Sequence, residues 1–404
     1  MNGLGRVGAL LILLVVTGAC ATPRGAPGAM ADAKPGERPA LDTDEAGLWM
    51  QMDRLEQQIK SSGHLVRDPE LNAYLRDVVC RLAGPHCPGI RVYLLRNPLF
   101  NASMAPNGMM QVYTGLLLRM DNEAQLVYVL GHEVGHFVRR HSLQIWRDVR
   151  AKAAFLSVFQ VMVSAAGAGA GAGGIGGAAQ LGNAANVVAG MATLGSVYAF
   201  SRDSEREADE LGFELMLNAS YDPREAPKTW SRLLKERDAA KESTPVIFFA
   251  THPPTAERMA TLTEMGQKAE GRLREVRREE LLAQTLRHRA TWLGDEMRRR
   301  QFASAQVLLD HLLEEGVRPG ELHFFQGELY RLRGDKDDAP RAITAYRRAL
   351  EFADTPPESH RNLALVLLRT GDRTAARLAF QQYLEVQPAA SDAEMIRDQL
   401  RSLE

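Results

Sequence analysis

Two histidines four residues apart sit inside an apolar run, and few packings suit such a segment. Leu126, Val127, Leu130, Val134 and Val138 recur at three and four, the spacing of one helix face, and Asp121 or Asn122 is placed to cap its start. On this helix His132 and His136 lie about 40° apart, so their imidazoles converge on one cation. Glu133, about 100° from the first, reaches a water bound there. Neutral imidazole suits zinc, and three protein ligands leave a fourth position for a water whose pKa falls to roughly 7. The third ligand must come from elsewhere in the chain, so a second element has to press against this helix.

The extended zinc motif of the metzincins needs glycine at position 139 and histidine at 142, where this chain has Arg139 and Ser142. His141, nine residues past His132, projects about 180° round a continued helix and reads as a surface or second-layer histidine facing away from the metal pair. Ser201–Asp209 offers more. Glu205 and Asp209 share one helix face at i and i+4, whereas Glu207 points away. A glutamate there supplies the third ligand, and an aspartate one turn later orients a ligating histidine through its free N–H. The expected site is one zinc ion per chain held by His132, His136 and Glu205, with Glu133 as general base and Asp209 behind the ligands.

The remaining sequence supplies an address and a frame. Residues 1–19 carry one charge, Arg6, then the apolar run Ala9 to Val16 and the small residues Thr17, Gly18 and Ala19. That is the pattern of a secretory signal, and the run is too short to span a bilayer. Thr17-Gly18-Ala19-Cys20 resembles a bacterial lipobox, which implies cleavage before Cys20 and acylation of its thiol, and Ala21 after it resembles outer-membrane sorting. Residues 20–45 then form a flexible tether rich in Ala, Pro and Gly. In an oxidising compartment Cys80 and Cys87, flanking Gly84-Pro85, are candidates for a disulfide, with two buried thiols as the alternative. Forty-nine Lys plus Arg against fifty Asp plus Glu leave a formal charge of -1, which provides no basic surplus for nucleic acid.

Residues 46–83 read as helical, with Leu48, Met52, Leu55 and Ile59 and then Leu71, Tyr74, Leu75 and Val78 on apolar faces. Ile90–Leu95 suggests a strand, and Asn101–Met104, the turn Pro106-Asn107-Gly108 and Met109–Tyr113 suggest a hairpin. Residues 153–201 contain no Asp, Glu, Lys or Arg, and Ala166–Gly177 is nearly all Gly and Ala. Each interior glycine costs a helix about 1 kcal/mol, so this middle reads as a hinge or loop. The tract is expected to be a lid or plug over the cleft, or an insert leaning on a membrane. Farther on, Leu363, Ala364, Leu367, Gly371, Ala376, Phe380 and Pro388 fall at the offsets of a tetratricopeptide unit. Gly327, Tyr330, Gly334, Ala342, Tyr346 and Ala349 repeat the pattern, and a weaker unit covers Leu293 to Pro319.

Several separated motifs resemble one family, the zinc metallopeptidases of the CAAX prenyl protease, HtpX and Oma type, in its BepA-like branch. They are Asn101-Ala102 before the Pro-Asn-Gly turn, Tyr113-Thr114-Gly115-Leu116-Leu117, His132–His136, Ser201–Asp209 and Thr251-His252-Pro253-Pro254 with Glu257-Arg258. The resemblance implies the same ligand set, His132, His136 and Glu205, with Glu133 as base and Asp209 in support. It implies that Met109, Met110, Gln111, Val112 and Tyr113 pair with an unfolded substrate by strand addition. It also implies that His252 approaches the metal, either displacing the water and keeping the enzyme latent or stabilising the oxyanion. Asn101-Ala102-Ser103-Met104 departs from the family's Asn-Ala-Phe-Ala.

The expected protein is mainly α, of the α+β kind. A zincin-like metalloprotease domain with a small β-hairpin or sheet spans 46–270, and a helical connector followed by an α-solenoid of tetratricopeptide repeats spans 271–404. Its expected activity is zinc-dependent endoproteolysis in the bacterial periplasm, lipid-anchored to the outer membrane. Substrates would be misfolded or stalled envelope proteins, and by the resemblance the repeats would engage outer-membrane assembly machinery. The competing reading is a chaperone or adaptor whose repeats act while the metal site stays latent. A membrane-embedded prenyl protease is the third, against which the lipobox and the lack of multiple long apolar spans speak.

Overall fold

A computed structural model describes residues 30–151, 200–240, 248, 251–254, 256–269 and 274–403. The expected signal and acylation site at Cys20 lie outside these residues, as does nearly all of the uncharged insert. Asp32–Glu404 form one unit, and Met1–Ala31 another of which only 30 and 31 are described.

Thr43 accepts the Ala46 N–H and starts α1, Asp44–Ser61. Asp68 accepts the Leu71 N–H at 3.0 Å and Pro69 opens α2, Pro69–Ala83. The helical reading of 46–83 therefore breaks at 62–68, where Ser62 is extended and Leu65 bridges to Leu95. The cap followed by proline dictates a second start, because proline lacks only an N–H that the first turn would leave unpaired. A 3-10 turn, Gly84–Gly89, follows, and Cys80 and Cys87 are joined in a disulfide with Cα atoms 4.8 Å apart.

Three strands form one sheet: β1 Arg91–Leu95, β2 Ala102–Met104 and β3 Met109–Tyr113, in the order β1-β3-β2. β3 pairs in parallel with β1, Arg91 opposite Met109, and antiparallel with β2, Ala102 opposite Val112. Gly108 closes the β2–β3 turn at φ +84, and a Cβ there would lie 2.2 Å from the Gly89 carbonyl oxygen, so the turn admits only glycine. This topology corrects one expectation. Met109, Met110, Gln111, Val112 and Tyr113 form the central strand, buried throughout and hydrogen-bonded on both sides, so they have no edge to offer a substrate. The edge belongs to β2. Asn101 accepts from Tyr113 and Ala105 donates to Met109, so by the antiparallel alternation the backbone groups of Ala102 and Met104 face away from β3.

Short α3, Thr114–Leu117, leads to α4, Glu123–Val138, which Asn122 caps through the Gln125 N–H. The sequence shows an apolar stripe, yet every residue from Glu123 to His136 is buried, so α4 is wrapped on all sides. After α5, His141–Ala151, comes α6, Arg202–Asn218, capped by Ser201 through the Ser204 N–H. α4 and α6 meet through residues without side chains. A Cβ on Gly212 would sit 2.8 Å from the His132 nitrogen, and one on Gly135 would sit 3.0 Å from the Ala208 carbonyl oxygen. The backbones can approach this closely only because those carbons are missing. α7, Ala226–Ala240, and α8, Ala256–Lys268, complete this half.

The rest is helical: α9 Arg278–Arg298, α10 Phe302–Glu314, α11 Pro319–Arg333, α12 Asp338–Ala349, α13 Glu358–Arg369, α14 Arg373–Val386 and α15 Ala393–Arg401. The described residues are thus mainly helical with one small three-stranded sheet. α11 packs on α12 and α13 on α14, with Gly327 beneath the Tyr346 ring and Ala364, Ala376 and Phe380 buried. Buried Arg119 ties the halves together, 2.9 Å from Glu236 on α7 and 3.2 Å from Glu296 on α9. No helix among the described residues is long and apolar enough to cross a membrane.

Candidate metal centre

α4 presents His132, Glu133 and His136, the seam brings Glu205 and Asp209 on α6 against them, and the segment before α8 adds His252. All six side chains are buried. His132 Nε2 lies 3.0 Å from His136 Nε2, 3.2 Å from His252 Nδ1 and 3.6 Å from Glu205 Oε2. Glu205 Oε1 is 3.3 Å from His136 Nε2 and 2.9 Å from His252 Nδ1. The sequence-predicted ligands and His252 thus form one set, each offering an atom within 4.8 Å of the others.

These donors fit a cation. A tetrahedron with bonds of about 2.1 Å has edges of about 3.4 Å, close to the separations observed. Three imidazole nitrogens and a carboxylate turned on one point repel unless a positive charge stands among them. Burial pushes His136 well below the ordinary histidine range, leaving the neutral form that coordinates metal. Burial alone would raise Glu205, but His252 and His136 beside it hold its carboxyl well below the usual range. Glu133 is buried, its Oε1 has no hydrogen-bond partner, and His252 Nε2 lies 3.4 Å away. Burial raises its carboxyl against the pull of His252 and His132, which suits a group that must take up a proton.

Behind the donors, Asp209 lies 2.9 Å from His132 Nδ1. Arg258 holds it from the other side, Nε 2.7 Å from one oxygen and Nη2 2.8 Å from the other, and also ion-pairs with Glu205. Tyr128 donates to Asp209 at 2.8 Å and accepts from Trp230. Arg258 and Tyr128 had no role in the sequence reading. Tyr128 carried a signal, since it precedes His132 by one helical turn and so shares its face.

His141 takes the expected place behind the ligands but neither the expected direction nor a surface position. The 180° projection assumed a continuous helix, but α4 ends at Val138 and Arg140 takes φ 58, after which α5 starts anew. The reversal buries His141 and sets its Nδ1 2.9 Å from His136 Nδ1. A cavity of about 970 Å³ reaches this region, lined in part by Trp49, Met104, His136 and Phe137.

A His-Glu-x-x-His helix, a carboxylate from a second helix and a buried glutamate at the donors form the arrangement found in metal-dependent peptidases. Residues 66–266 match the profile of peptidase family M48, and this part of the chain belongs to that family. Among curated relatives, the β-barrel assembly-enhancing protease of Escherichia coli K12 is 28% identical over 232 residues, 55% of this chain and 44% of that protein. Mitochondrial metalloendopeptidase OMA1 of Arabidopsis thaliana is 30% identical over 192 residues, 47% of this chain and 34% of its own. OMA1 of Schizosaccharomyces pombe is 31% identical over 175 residues, 43% and 45%. The chain thus spans less than half the length of each of these relatives.

Proposed function

We propose that this chain is a zinc-dependent endopeptidase of the bacterial periplasm, anchored by Cys20 to the outer membrane, that degrades misfolded or stalled envelope proteins. The observation that carries the catalytic part is the convergence of His132, His136, Glu205 and His252 beside an unpartnered Glu133 oxygen. His132, His136 and Glu205 would hold the zinc, with Asp209 and Arg258 fixing His132 and Glu205. When bound, zinc supplies Lewis-acid polarisation and lowers the pKa of water to roughly 7.

Glu133 takes the proton from the attacking water and returns it to the leaving amine, a contribution on the order of 100- to 10,000-fold. Met104, on the open edge of β2, lines the same cavity as His136, which supports a substrate strand lying along that edge beside the donors. An extended substrate adds to that edge through backbone bonds, so selection favours unfolded segments. His252 offers a fourth donor where catalysis needs an open position, so the described arrangement is latent until His252 withdraws. The helix pairs after 318 are read as tetratricopeptide repeats that bind partner proteins, and the relatives named for β-barrel assembly suggest outer-membrane assembly machinery as the partner. The competing adaptor reading draws on the same closed donor set. It predicts that the protein's cellular role survives Glu133→Gln, whereas a protease loses it together with casein cleavage. His252→Ala is expected to raise basal cleavage several-fold, and unchanged cleavage would show that His252 is no plug.

A further inference from the structure

His136 has a supported outer nitrogen that no catalytic step uses. We infer that His141 and Glu207 form a positioning chain that holds His136 in its metal-binding orientation, an inference that rests on the metal reading above. The chain runs from His136 Nδ1 to His141 Nδ1 at 2.9 Å, then from His141 Nε2 to Glu207 Oε2 at 3.2 Å. The two ring centroids stand 4.9 Å apart with the planes turned 72° from each other, so the nitrogens meet edge to edge across twisted rings. Phe200 stacks on His136, centroids 3.8 Å apart at 27°, leaving the ring little freedom to rotate.

The hydrogen-bond roles follow from the chemistry of imidazole. His136 turns Nε2 toward the other donors, so a metal-ligating His136 carries its proton on Nδ1 and donates it. His141 Nδ1 must then accept, which puts the His141 proton on Nε2, where the Glu207 carboxylate accepts it. Only one tautomer of each ring satisfies both contacts. His141 is 1% exposed, so solvent offers it no alternative partner. The two ligating histidines are therefore supported differently: His132 faces a carboxylate, Asp209, and His136 faces a neutral imidazole braced by a carboxylate one step farther out.

Zinc affinity of the full chain is measured by competition with a chromophoric chelator, alongside the visible spectrum of the cobalt-substituted protein and the melting temperature of the metal-free form. His141→Ala is expected to weaken zinc binding about 10- to 100-fold and to shift the cobalt bands. Glu207 has a side chain 54% exposed, so its replacement leaves the metal-free melting temperature unchanged. Glu207→Ala is expected to weaken zinc binding several-fold, whereas Glu207→Gln, which keeps an acceptor oxygen, restores it. Wild-type affinity and spectra in both His141→Ala and Glu207→Ala would overturn the chain. Absence of zinc from the wild-type protein would instead overturn the metal reading on which it stands.

Discussion

The metal-site half and the helix pairs after residue 318 are both built from helices that approach through glycine, but they place different things at the contact. Where α4 crosses α6, the missing carbons of Gly135 and Gly212 let two backbones touch, and ionisable side chains converge beside them. Where α11 meets α12, the missing carbon of Gly327 admits the Tyr346 ring, and the contact is packing between sequence neighbours. The first arrangement joins residues some seventy positions apart, the second residues about twenty apart. Small residues serve function in one half and local stacking in the other.

The largest expected effect is catalytic. Glu133→Gln should lower casein cleavage about 100- to 10,000-fold with zinc content unchanged; activity within ten-fold of wild type would remove Glu133 as the base. Next comes the tie between halves. Arg119→Ala leaves Glu236 buried without its cation and Glu296 with Arg299 alone, and chemical denaturation should show about 3–5 kcal/mol lost. A loss under about 1 kcal/mol would mean that the halves stand independently.

The comparison itself is broken or kept by a pair of glycine variants. Gly212→Ala and Gly327→Ala should each cost about 1–3 kcal/mol, since both force a displacement of packed atoms. Only Gly212→Ala should also weaken zinc binding. Equal zinc loss in the two would show that the metal site does not depend on its own seam.

A smaller effect concerns acid. Glu56 accepts from Arg91 and Tyr93, and chiefly the Arg91 guanidinium holds its carboxyl down to about 2. The ordinary glutamate value is about 4.3, so its stabilisation is fully present above that pH and fades as pH falls toward about 2. Melting temperatures of Glu56→Gln should therefore change less between pH 5 and pH 2, on the order of one carboxylate's contribution, than those of wild type. Parallel curves would show that Glu56 is not the group responding. The smallest effect is expected at the solvent-screened ion pairs of Arg287 with Asp68 and Glu70, where Arg287→Ala should leave the melting temperature close to that of wild type.

Periodicity and spacing made α4, the β2–β3 hairpin, the paired carboxylates Glu205 and Asp209 and the later helix pairs legible, because each depends on neighbours within a turn or two. Three features escaped. The end of α4 was hidden because Arg139-Arg140 carries no breaker residue, so His141 was projected the wrong way. The strand order was hidden because a hairpin does not say which of its strands pairs with a third. The brace at Arg258 was hidden because nothing near it in sequence shows that its cation stands between two acids from another helix.

Residue identity and interval alone determined that this chain carries an imidazole pair with a glutamate beside it and a second helix with a carboxylate to offer. Whether these meet was decided by tertiary structure. It rests on absent β-carbons at the crossing of α4 and α6, on the left-handed turn at Arg140 and on a sheet edge that belongs to Ala102–Met104. A helix face is set by bonds between near neighbours, while the distance between two helices is set by how closely their atoms can pack.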